Sequence, residues 1–149
     1  MVKQVHRLGN FSKIKASLML KQYAAQLRAM GAGYVPRSFG RHVPIKFSFL
    51  IKNANYSTAS GAAWAGAIRL LPDAAGAALA TLTITAVVQG ADTLVTLTGP
   101  EPATFAPAAR STGEQAPLFY DVQLTPPAPN NTQQVLLGGE ANIIAGVVQ

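Results

Sequence analysis

Cysteine is absent from the 149 residues, which excludes disulfides, thiolate-bound zinc and thiol nucleophiles. Histidine occurs only at His6 and His42, too far apart and too few for a ligand set. Charge is also scarce: Asp, Glu, Lys and Arg make up 12% of the chain, about half of the ~25% usual in soluble domains. Six scattered acids leave little from which to build an active site. No phosphate-cradling glycine loop, Gly-x-Ser-x-Gly elbow or His-Glu-x-x-His helix occurs. The expectation is a non-enzyme with no catalytic residue, no cofactor and no metal.

The largest gap is in one sign of charge. Residues 1–52 contain ten bases and no acid, whereas 53–149 hold two bases and all six acids. A basic N-terminal part of this kind points to an acidic partner, whether nucleic acid, anionic lipid or an acidic protein surface, or else to a solvated face that keeps a charge-poor chain in solution. A long apolar run is lacking too. The uncharged stretch 74–91 approaches membrane-spanning length, but Thr81, Thr83 and Thr85 give it strand alternation and Gly76 breaks a helix. No apolar core with a cleavage site marks a secretory leader, and no membrane association is expected.

What is present divides at 41/42. Residues 1–41 read as a basic arm with one helix over about 10–30, capped by Asn10 or Ser12 and ended by Gly31. Phe11, Ile14, Leu18, Ala25 and Leu27 suggest its apolar face, and a helix this short needs a partner. Residues 31–42 are rich in glycine, with one proline, and read as a linker or loop. From 43 onward the period changes to two. Val43, Ile45, Phe47, Phe49 and Ile51 alternate with Pro44, Lys46, Ser48, Leu50 and Lys52. Further strands are predicted at 63–71, 79–88 and 93–98, the last two as a hairpin turning at Gln89-Gly90-Ala91-Asp92. A strand at 118–125 places Leu118, Tyr120, Val122 and Leu124 inward. Prolines 126, 127 and 129 reverse the chain, and 133–148 supplies two final strands or one bent at Gly138-Gly139. Six or seven short strands with turns between them predict a mainly β, antiparallel sandwich over 42–149.

The order VPIKFSFLIK, WAGAIRLLP, ALATLTITAVVQGADTLVTLTG, PEPATFAPAARS, LFYDVQLTPP and QQVLLGGEANIIAGVVQ resembles the immunoglobulin-like domain of phage tail and baseplate proteins, including the N-terminal domain of upper baseplate proteins. The Tyr-Asp-Val-x-Leu strand at 120–124 and the Leu-x-Gly-x-x-x-Ile strand at 137–143 carry the likeness. The resemblance implies an immunoglobulin-like sandwich in a virion, assembled in the host cytoplasm as a homo-oligomer with other virion structural proteins as partners. The basic extension is a departure that implies an anchoring role of its own.

Candidate contact residues lie in that extension: Arg7, Lys13, Lys21, Arg28, Tyr34, Arg37, Phe39 and Arg41. Arginine beside aromatics suits protein interfaces as an anchor; it also suits nucleic acid through stacking and phosphate pairing. Two readings therefore stand beside the virion docking subunit. One is a small coat or decoration protein whose basic arm touches packaged nucleic acid. The other is a carbohydrate-binding module presenting Trp64 and Tyr120. Both rings fit a buried role better, and Asp121 and Glu140 read as solvated carboxylates rather than an acid/base pair.

Overall fold

A computed structural model describes residues 18–70, 78–106 and 118–144. Helix α1 covers residues 18–29 within that range; the caps at Asn10 or Ser12, with Phe11 and Ile14, fall outside the described residues. Eight strands follow: β1 (Gly33–Tyr34), β2 (Arg37–Gly40), β3 (Ile45–Ile51), β4 (Ala63–Arg69), β5 (Ala80–Gln89), β6 (Asp92–Gly99), β7 (Leu118–Thr125) and β8 (Gln134–Ile144). The chain is mainly β, as expected. The strands form one sheet in the order β1-β8-β7-β4-β5-β6-β3, with β2 also on β8.

The sheet is curled into a half-barrel. β5 begins against β4 over three residue pairs and then continues against β6 over seven. That handover turns the β3–β6–β5 part across the β4–β7–β8 part. Between them lies the main core, with Ile45, Ile68, Val95, Leu97, Tyr120 and Val122 nearly or wholly inaccessible. The two ends of the strand order meet through side chains, Phe39 of β2 lying 5.8 Å from Phe47 of β3 between ring centroids.

The alternation in β3 is observed from Ile45: Ile45, Phe47, Phe49 and Ile51 turn inward, and Lys46, Ser48, Leu50 and Lys52 outward, whereas Val43, expected with the inward set, precedes the strand and is 61% exposed. The β5–β6 hairpin also holds, with Gly90 at the first central turn position and φ of +63°, the place a type II′ turn reserves for glycine. β8 is one strand through Gly138-Gly139, paired with β7 across a bulge at Val122/Gln123.

Three expectations need correction. Residues 31–42 are not a loop: β1 and β2 run parallel to β8, Gly33 opposite Leu137 and Arg37 opposite Ala141. The expected division at 41/42 thus falls between strands of one sheet, and the sheet is not purely antiparallel. Second, the buried helix face is Tyr23, Ala24 and Leu27, with Met19 and Leu20 beside it. Leu18 is 52% exposed and Ala25 lies in solvent. Positions 20, 23, 24 and 27 follow the i, i+3, i+4, i+7 pattern of one helical face, and complete burial of Leu27 stabilises by roughly 1.5–3 kcal/mol. Third, Phe119 points away from the main core yet is buried, because α1 covers it. Tyr23 meets its ring edge-on at 5.3 Å.

Gly31 ends α1 as anticipated. With φ of +74°, it donates to the Arg28 carbonyl while Ala32 donates to that of Leu27, the two bonds of a Schellman cap.

Candidate functional site: the basic sheet edges

The candidate contact residues are distributed over three places. Arg7 and Lys13 lie outside the described residues. Lys21 and Arg28 are exposed on the outer face of α1. Tyr34 is half-buried beside Leu27 and Phe119, and desolvation, helped by Glu140 and opposed by Arg28, raises its phenol above the ordinary value. Arg37 and Phe39 point to the inner side of β2, as their partners Ala141 and Ile143 do. Phe39 is core, 8% exposed, with little surface to offer a partner. Arg41 stands at the turn after β2, where its N–H donates to Ile144 and its carbonyl accepts from Ala103.

Arg37 is the chemically unusual member. Its guanidinium lies 5.0 Å from the centroid of the Phe47 ring and donates to the Tyr120 phenolic oxygen. Its Nε is buried without an acceptor among the described residues. Tyr120 in turn donates its hydroxyl proton to the Val35 carbonyl and accepts at its own carbonyl the Tyr23 hydroxyl, 2.8 Å away. Burial pushes the Tyr120 phenol up to about 12, with Arg37 opposing the rise. One arginine and two tyrosines therefore join α1, β7 and the β1–β2 corner at the point where β2 faces β3.

The glycines of β8 allow this approach. A Cβ on Gly138 would stand 2.5 Å from the Tyr23 hydroxyl and 2.8 Å from the Tyr120 carbonyl oxygen, and one on Gly139 2.5 Å from the Val35 carbonyl oxygen.

The outward face of β3, β6 and β5 is different in character. Registered neighbours form rows: Ser48, Thr96 and Thr85; then Leu50, Leu94 and Val87. Leu50 and Val87 are 43% and 55% exposed, so the apolar row faces solvent. At the end of β3, Lys52 meets Asp92 at 3.1 Å.

The ring pair considered for carbohydrate is not assembled on the surface. Tyr120 is 1% exposed. Trp64 is half-buried, its ring edge-on to Phe49 and its indole N–H donating to the Tyr56 carbonyl at 2.9 Å. Asp121 is not a solvated carboxylate either. Burial raises its pKa, against the pull of Arg69 and a hydrogen bond from Gln123. No group of three or more potential metal ligands occurs among the described residues. No helix among them is long and apolar enough to cross a membrane.

Sequence reasoning missed Phe47 and Tyr120 as the platform for Arg37. Alternation turned both rings inward, but nothing local reveals that β2 faces β3. Neither a protein-family model nor a curated protein matches the chain.

Proposed function

We propose that this chain is a non-catalytic structural component of a phage virion, an immunoglobulin-like domain of the tail, neck or baseplate that self-assembles and holds neighbouring particle proteins through its basic N-terminal part. The observation that carries this reading is the charge layout. Residues 18–52 contain Lys21, Arg28, Arg37, Arg41, Lys46 and Lys52 and no acid. They supply the helix over the sheet and all three strands at its two ends. A one-signed rim of this kind favours encounter with an acidic partner and disfavours basic ones.

Two further features support it. The segments that carry the phage resemblance are neighbours in space, Tyr120 opposite Gly139 and Val122 opposite Leu137. The uncovered row Leu50, Leu94 and Val87 suits contact with another copy, since apolar area is favoured and charge depleted at interface centres.

The test is incorporation into particles. Mass spectrometry of purified virions is expected to find this chain at a fixed ratio to other particle proteins, and its absence overturns the reading. Truncation at 41 would remove β1 and β2, so charge reversal is the cleaner variant. Lys21→Glu with Arg28→Glu, both on the exposed face of α1, is expected to leave the melting midpoint unchanged and lower incorporation.

A further inference from the structure

The sheet has two ends. β3 is bonded to β6 on one side only, and β2 to β8 on one side only, among the described residues. An edge strand leaves alternate N–H and C=O groups able to accept another strand, and proteins usually blunt such edges with proline, bulges, very short strands or charged side chains, lysine above all. β2 fits that pattern: it is four residues long and follows Pro36. β3 fits it only in part. It runs seven residues in regular alternation with neither proline nor bulge within it, and its one guard is the outward Lys46, a charge that repels basic strands but not acidic ones.

The chemistry around this edge has one sign. Residues 33–52, comprising β1, β2, β3 and their connections, carry Arg37, Arg41, Lys46 and Lys52 and no acid. Lys52 is engaged by Asp92 at the far end of β3. Arg37 sits where β2 faces β3, held over Phe47 and against Tyr120, and no carboxylate pairs with it among the described residues. Its buried Nε lacks an acceptor among the described residues, and a buried donor left unpaired is unfavourable until something supplies one. Fixing by ring and phenol leaves the guanidinium preorganised, so little side-chain freedom is lost on taking a carboxylate.

We propose that the β2–β3 seam receives an extended acidic segment of a partner protein, which adds as a strand to the free edge of β3 and delivers an Asp or Glu carboxylate to Arg37. Main-chain bonds along β3 supply affinity, and the charge-assisted bond at Arg37 sets the register. Alternate side chains of the added strand face Phe47 and Phe49 on the inner side and Lys46 on the outer. This rests on the docking reading above and names the partner's chemistry. Nucleic acid would satisfy Arg37 electrostatically but offers no backbone to the ladder, so it serves as the contrasting outcome.

The experiment uses the full chain and fluorescent probes. One is a synthetic peptide alternating Glu with Val, the second has Gln at every Glu, and the third keeps the acids but carries proline at the alternate positions. A single-stranded oligonucleotide is the fourth. The Glu peptide is expected to bind saturably and to slow amide exchange in β3. The Gln peptide is expected to bind about tenfold more weakly, the size of one lost charge-assisted bond, and the proline peptide not measurably. Arg37→Met, which keeps the stem but removes the guanidinium, is expected to erase the Glu-over-Gln preference. If that variant fails to fold, Arg37→Lys, which keeps the charge but loses the planar fork, is expected to narrow the Glu-over-Gln preference. Equal binding of Glu and Gln peptides, no protection of β3 at saturation, or preference for the oligonucleotide overturns the proposal. Virions that contain this chain while the Glu peptide fails to bind refute the seam alone. Virions that lack it refute the docking reading, whatever the peptide does.

Discussion

The hydroxyl of Tyr23 donates to the main-chain carbonyl of Tyr120 at 2.8 Å, a buried bond between residues 97 apart in sequence. It fastens α1 to the middle strand of the sheet's better-covered half. Tyr23→Phe keeps the edge-on contact with Phe119 but leaves a buried acceptor short of a partner, and is expected to cost about 1–2 kcal/mol. Gly138→Ala forces a methyl against that same hydroxyl and is expected to cost about 1–3 kcal/mol. Urea unfolding of both single variants and the double variant forms a cycle. A coupling of at least ~0.5 kcal/mol is expected between contacting sites, and strict additivity would refute the contact.

Tyr120 makes stability sensitive to alkali. Its phenol stands at about 12 in the fold against 10.0 for a free tyrosine, because burial disfavours the phenolate. The folded chain thus holds this proton more tightly than the unfolded chain. The associated stabilisation is complete below pH 10 and is lost as pH climbs through about 12. Tyrosinate absorbance is expected to show late titration, Tyr34 being raised as well, with the latest component lost in Tyr120→Phe, and that variant is expected to flatten the alkaline decline in the urea midpoint. A titration in which no tyrosine lags would sink the assignment.

Thr93 is a fully buried hydroxyl that accepts from the Tyr56 N–H at 2.9 Å and donates to the Ala54 carbonyl at 2.6 Å. It pins the loop between β3 and β4 to the start of β6. Thr93→Val preserves shape and strands both loop groups, with an expected loss of about 2–3 kcal/mol. Amide exchange at Tyr56 is expected to accelerate more than exchange in β7. Uniform acceleration would mean that the hydroxyl serves the whole fold rather than this loop.

The strands that were legible in sequence are those whose pattern is local. β3 alternates over its whole length because one face meets the core and the other water, and the β5–β6 turn carries the glycine its backbone requires. β1 and β2 were illegible for the opposite reason. They are short and glycine-bearing, lie either side of Pro36, and exist only because β8, about a hundred residues later, offers them an edge. Phe119 shows the same limit. Its place in the alternation is correct, but burial of the outer face depends on where α1 lands, which no period of two encodes. The candidate site was legible as an inventory of bases and aromatics, not as an arrangement. Phe39 proved to be core, and Arg37 acquired its platform from β3 and β7.

β2 and β3 occupy opposite ends of the strand order, yet residues 41–44 alone connect them. Six inter-strand spacings separate these strands along the sheet, about 29 Å if it were flat at ~4.8 Å per spacing. A four-residue connection spans at most about 18 Å from Gly40 to Ile45 when fully extended. The tether is too short for a planar sheet. Curvature is therefore imposed by covalent connectivity before any side chain contributes, and the two end strands are leashed. Any widening of the mouth between them has a ceiling set by chain length, so a visiting strand must fit an opening whose maximum width was decided by four residues.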